Sequence, residues 1–121
     1  MNPRKGFVRK EFVRKTMKVE ILYFSGCPNH PPAVGRVREA LRVEGVSAEM
    51  LEVEVKDAAT ARTVSFLGSP TIRINGQDVE PAARSAQDFG LTCRTYTDQG
   101  HRSGVPPAEW IRSAVREAKE S

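Results

Sequence analysis

The chain predicts an α/β fold, a mixed sheet flanked by helices in the order β-α-β-α-β-β-α, and three stretches carry the prediction. Residues 18–24 read KVEILYF, a β-branched and aromatic run of the kind that fills a buried strand, and a helical apolar face follows it. Asn75-Gly76 is the strongest short-range hairpin signal, set between two short extended runs. Pro106-Pro107 opens a last helix, whose Trp110, Ile111, Ala114, Val115 and Ala118 form a packing face.

The remaining elements follow in order. The first strand stops at Ser25-Gly26-Cys27-Pro28-Asn29-His30-Pro31-Pro32, a segment dense in turn formers. Val34, Val37 and Leu41 then share one helical face, and Gly45 supplies the C-terminal stop. Residues 46–55, VSAEMLEVEV, read as a second strand through Met50, Leu51, Val53 and Val55. Asp57 is the N-cap of a short helix running to Leu67, with Ala58, Ala61, Val64 and Leu67 as its apolar side. Gly68-Ser69-Pro70 breaks the chain, Thr71-Ile72-Arg73-Ile74 is a short strand, and residues 77–80 return beside it. Residues 81–104 hold Cys93 and Tyr96 among polar residues and glycines and are expected to form a long, partly irregular connection. Parallel neighbours joined by helices, plus a terminal antiparallel hairpin, satisfy the layer rules of α/β domains.

A length of 121 residues suits one core, and 28% charged with 39% hydrophobic residues is ordinary globular composition. No apolar run approaches the roughly 18–20 residues that span a bilayer. The start has charge but no apolar h-region or small-residue cleavage site, so a secretory signal is not expected and the expected location is cytoplasmic. Two cysteines are too few for a disulfide scaffold and are expected to be free thiols in a reducing compartment. The net charge of +4 is unevenly spread. Seven of the 19 basic residues and one of the 15 acids fall in residues 1–18, leaving 12 against 14 and a net charge of −2 elsewhere. Residues 1–17 therefore read as a basic, flexible N-terminal extension and residues 18–121 as the domain. The extension carries Phe7-Val8-Arg9-Lys10 and Phe12-Val13-Arg14-Lys15 at a five-residue step that matches neither helix nor strand. A basic patch spread over the folded body is lacking, so no nucleic-acid partner is expected, nor a membrane or a cofactor.

The chemistry centres on Cys27, placed where a strand gives way to a helix. Free N–H groups and the helix dipole there favour negative charge, and the thiolate is the reactive form of cysteine. The competing reading is a half-buried cysteine acting as a small apolar residue. Together, Cys27-Pro28-Asn29-His30 and the downstream Ser69-Pro70-Thr71 resemble the paired signature of the thioredoxin-like superfamily across residues 18–80. The resemblance implies a cis bond at Ser69–Pro70 and a Ser69 backbone that faces the cysteine and pairs with an extended, thiol-bearing substrate. Ser69, Pro70 and Thr71 are thus the expected substrate-binding residues. The usual second cysteine of the loop is His30, which excludes dithiol cycling within the loop. His30 is an acid or base toward the Cys27 thiol, a stabiliser of its thiolate when protonated, or a solvent-exposed turn histidine.

Cys93 is the other candidate. If residues 81–104 fold back over the Pro70 loop, Cys27 and Cys93 form a disulfide or a two-thiolate clamp for a soft metal ion. The spacing of the two cysteines, with Gly90-Leu91-Thr92-Cys93-Arg94, resembles the core of alkylmercury lyases. Residues 18–119 are similar to small bacterial thioredoxin-like proteins related to that core. In the lyases two cysteines bind mercury and an aspartate delivers the proton that breaks the carbon–mercury bond. Here the aspartate's position matches His30, and their separate N-terminal domain has no counterpart.

No glycine-rich phosphate loop, paired-histidine zinc motif or nucleophile elbow is present. His101 lies in a glycine-rich turn, and Arg73, Arg84 and Arg94 either neutralise a substrate carboxylate or, the favoured reading, are charged surface. The leading expectation is a thiol protein in which Cys27 is the nucleophile and Cys93 its resolving partner, acting on a thiol-bearing protein or small molecule. Mercury binding or organomercurial cleavage is the second expectation, and a non-catalytic interaction module is the third.

Overall fold

The computed structural model describes residues 16–120. The basic arm with its five-residue repeat falls on residues 1–15, outside the described residues. The central strand, β1 (Met17–Tyr23), begins one residue before the expected domain boundary. Helix α1 (His30–Glu44), strand β2 (Ala48–Glu54), helix α2 (Ala58–Thr63), strands β3 (Thr71–Ile74) and β4 (Gln77–Asp78), strands β5 (Tyr96–Asp98) and β6 (His101–Ser103) and helix α3 (Ala108–Lys119) follow. The main sheet runs β2-β1-β3-β4. β2 lies parallel to β1, β3 pairs with β1 antiparallel, and β4 pairs with β3 antiparallel.

The alternation of β1 decides what each face of the sheet carries. Met17, Val19 and Ile21 point to one side and join Val34, Val37 and Leu41 of α1, Ile72 and Ile74 of β3, and Ile111 and Val115 of α3 in one apolar cluster. Leu22 points to the other side and joins Val55, Ala61 of α2 and Phe66. Two helices thus cover one face and a short helix the other. Burying each large side chain contributes about 1.5–3 kcal/mol, enough to hold strands as short as β3 that would be marginal alone.

Local chemistry sets the ends. Pro31 and Pro32 lie in the first turn of α1, where the missing N–H groups have no intrahelical partner to lose. Gly45 adopts φ 66° at the end of α1, and the Val46 N–H returns to the Leu41 carbonyl at 2.9 Å. Asp57 caps α2 by accepting from the Thr60 N–H at 2.7 Å. Asn75 and Gly76 both take positive φ, as a two-residue hairpin turn requires.

Two expectations need correction. α2 ends at Thr63 rather than Leu67, because Ser65 turns to φ 57° and the Phe66 N–H goes back to the Ala61 carbonyl. The return strand is two residues, not four, since the chain turns into a 3-10 segment at Pro81–Ala83. Residues 81–104 form the long, partly irregular connection expected, and within it β5 and β6 make a separate antiparallel hairpin turning at Gln99 and Gly100, both at positive φ. Among the described residues, no helix is long and apolar enough to cross a membrane.

Candidate functional site

Cys27 lies between β1 and α1, within a tight turn. Its N–H donates to the Phe24 carbonyl at 3.2 Å, and its own carbonyl accepts from the His30 N–H at 3.2 Å. The residue is buried and belongs to neither apolar cluster. Its loop is met by another segment at Asn29. A Cβ on Gly104 would fall 2.1 Å from Asn29 Nδ2, so the chain leaving β6 presses directly on the cysteine loop.

His30 is not the solvated turn histidine that one reading allowed. Its ring stacks on Tyr23 at 3.7 Å between centroids with planes 7° apart. Its Nε2 is hydrogen-bonded to Glu52 Oε1 at 2.7 Å. Glu52 reaches it through the parallel register, in which Ile21 pairs with Glu52 and Tyr23 with Glu54. Among the described residues, the imidazole is engaged by Tyr23 and Glu52, and no hydrogen bond joins it to the Cys27 thiol.

The Ser69–Pro70 peptide bond is cis. Ser69, Pro70 and Thr71 are all buried, and their polar groups are already used. Ser69 Oγ accepts from the Phe24 N–H at 3.3 Å, tying this loop to the turn that carries Cys27. The Ser69 N–H donates to the Thr92 carbonyl at 2.8 Å, and the Ser69 carbonyl accepts from the Arg94 N–H at 3.0 Å. Those two bonds make Ser69 and Cys93 partners in a parallel β-bridge. The backbone edge expected to receive a substrate is therefore filled by residues 92–94 of the chain itself. Both cysteines are free thiols, Cys27 buried and Cys93 exposed.

Arg94 fixes this bridge and corrects its reading as charged surface. It is buried, with Nη1 donating to Asp78 Oδ2 at 2.7 Å and Nη2 to Asp78 Oδ1 at 2.9 Å. Nη2 also reaches Glu80 Oε1 at 2.9 Å, Nη1 reaches Thr71 Oγ1 at 3.0 Å, and the guanidinium lies 4.5 Å above the Tyr96 ring. Burial works against its charge, but the bonds to Asp78 and Glu80 hold its pKa above the ordinary value. The Tyr96 hydroxyl donates to the Pro70 carbonyl. Burial pushes its pKa up; the Arg94 charge opposes this, and Asp78 and Glu80 reinforce it. Of the other two arginines, Arg73 donates to the Ser65 carbonyl and Arg84 to the Asp78 carbonyl. His101 is exposed on β6.

Ser69 is therefore tied through Phe24 to the turn that carries Cys27 and through the bridge to Cys93, while His30 is tied to β1 and β2. Sequence reasoning missed Glu52, Asp78, Glu80 and the anchoring role of Tyr96. Among the described residues, no group of three or more His, Cys, Asp or Glu side chains is arranged to hold a metal ion, so a soft-metal clamp would rest on the two thiols. An open groove of about 570 Å³ lined by residues such as Val64, Arg73, Arg84 and Phe89 lies elsewhere, and neither cysteine lines it.

Compared with known proteins, residues 30–115 match the family model described as "Domain of unknown function (DUF2703)". The matched stretch includes His30 and Cys93 and begins three residues after Cys27. No curated protein and no solved structure matches the chain.

Proposed function

The chain belongs to the DUF2703 family, and we propose that it is a thioredoxin-like thiol protein in which Cys27 and Cys93 act as one redox pair across the Ser69–Pro70 loop. The sheet order β2-β1-β3-β4, the parallel β1-α1-β2 unit and the antiparallel β3-β4 hairpin followed by α3 support the thioredoxin-like reading. The observation that carries the pairing is the bridge between Ser69 and Cys93, because Ser69 Oγ also holds the turn bearing Cys27. Ser69 thus links two elements distant in sequence, one carrying each thiol, which supports reading them as a resolving pair. In oxidation, two thiols lose two electrons and two protons to a disulfide oxidant, which is released as two thiols.

The test is mild oxidation of the reduced chain with an excess of a disulfide, followed by alkylation of the remaining thiols and peptide mapping. The expected product is one intramolecular Cys27–Cys93 disulfide, restored to two free thiols by dithiothreitol. Both cysteines remaining alkylatable, or carrying separate adducts that do not resolve, would refute the pairing.

A further inference from the structure

Resting on that reading, we infer that the pair exchanges with low-molecular-weight disulfides, entering through Cys93, and that residues 92–94 shut extended polypeptides out of the site. The Ser69 edge is the place where an extended chain would gain main-chain hydrogen bonds. Both of its groups are spent on Thr92 and Arg94, and Ser69 has no exposed surface. The occupying segment is anchored rather than laid on loosely. Arg94 plugs into Asp78, Glu80 and Thr71, and Tyr96 is bonded to the Pro70 carbonyl. Gly68 fits so closely that a Cβ there would meet Arg94 Cβ and the Thr92 carbonyl at 3.0 Å. A polypeptide would have to displace this whole set of contacts before it could pair.

A compact disulfide needs no backbone edge, only a sulfur it can reach. Cys93 is exposed, whereas Cys27 is 6% exposed and belongs to the loop whose Asn29 meets Gly104. Access therefore reverses the order expected from sequence. The Cys93 thiolate attacks a small disulfide RSSR, the S–S bond breaks, and one RS⁻ leaves and takes a proton from solvent. The Cys27 thiolate then attacks the Cys93 sulfur of the mixed disulfide and expels the second RS⁻. Two protein thiols and RSSR become one protein disulfide and two RSH.

The experiment uses the full chain with glutathione disulfide as the small probe and insulin as the polypeptide disulfide. Cys27→Ser should accumulate a glutathione adduct on Cys93, formed about tenfold or more faster than any adduct on Cys27 in Cys93→Ser. Cys27→Ala repeats the first arm should the serine disturb the buried position. The unaltered chain should reduce insulin no faster than dithiothreitol alone. Insulin reduction well above that background, or faster adduct formation on Cys27, would overturn the inference while leaving the pair intact. An adduct on Cys93 that the unaltered chain never resolves to an intramolecular disulfide would instead refute the pairing itself, and the inference with it.

Discussion

Arg94 is the residue whose surroundings say most about the site. Its guanidinium meets both oxygens of the buried Asp78, a geometry a planar fork matches and an ammonium does not. Arg94→Met leaves the Asp78 carboxylate buried without its partner and is expected to cost about 3–5 kcal/mol in urea unfolding, with Arg94→Lys recovering only part. Tyr96 predicts the alkaline behaviour. Its folded pKa lies above the ordinary value of 10.0, so its contribution is complete below about pH 10 and is lost as pH rises toward the folded value. Urea midpoints measured across that range should fall with pH, and Tyr96→Phe should fall less steeply. These residues also show where sequence stopped being legible. Arg94 read as surface because charged side chains are seldom buried without partners, and its partners lie 16 and 14 positions away with no local mark. The setting of Cys27 was legible because its signal is local: a strand, a turn and a helix in direct succession.

At the scale of elements, the segment from Thr92 to Tyr96 acts as a strap across the Pro70 loop. Gly68 is the position that permits it, with φ +125° and no room for a side chain under Thr92 and Arg94. Gly68→Ala should lift the strap, seen as exchange of the Ser69 and Arg94 amide protons faster by about tenfold, with exchange in β1 changed far less. Unaltered exchange at those two amides would deny the strap its dependence on Gly68. The strands and long helices of the main sheet were readable because their periodicity reports burial directly: Val19 and Ile21 in β1, Val34, Val37 and Leu41 in α1. The hairpin β5-β6 was not. Its strands are three residues long, β6 is wholly exposed, and only Gln99-Gly100 marks the turn. The early end of α2 was equally hidden, since nothing in Ser65 itself announces a left-handed conformation.

For the whole molecule, the two apolar clusters on either side of β1 hold the layers together, and hydrogen-bonded carboxylates add a pH-dependent margin. Hydrogen bonding from Arg42 lowers the Glu39 pKa, and the Thr60 N–H lowers that of Asp57. Burial would raise Glu44, but Arg116 and Lys119 of α3 outweigh it and hold it low, joining α1 to α3. Stability from such groups is present above their ordinary values and is lost as pH falls through the lowered ones. The melting temperature should therefore drop between about pH 6 and pH 3, and Asp57→Ala should melt lower at pH 6 while losing less on acidification. The central claim, that Cys27 and Cys93 form one redox unit, meets its most direct test in a redox titration of the full chain. Equilibration in glutathione buffers of graded potential, followed by acid quench and counting of free thiols, should give a single two-electron transition with a slope of about 30 mV per tenfold change, lost in Cys93→Ser. Two free thiols persisting at every potential, or an unchanged transition in Cys93→Ser, would contradict it.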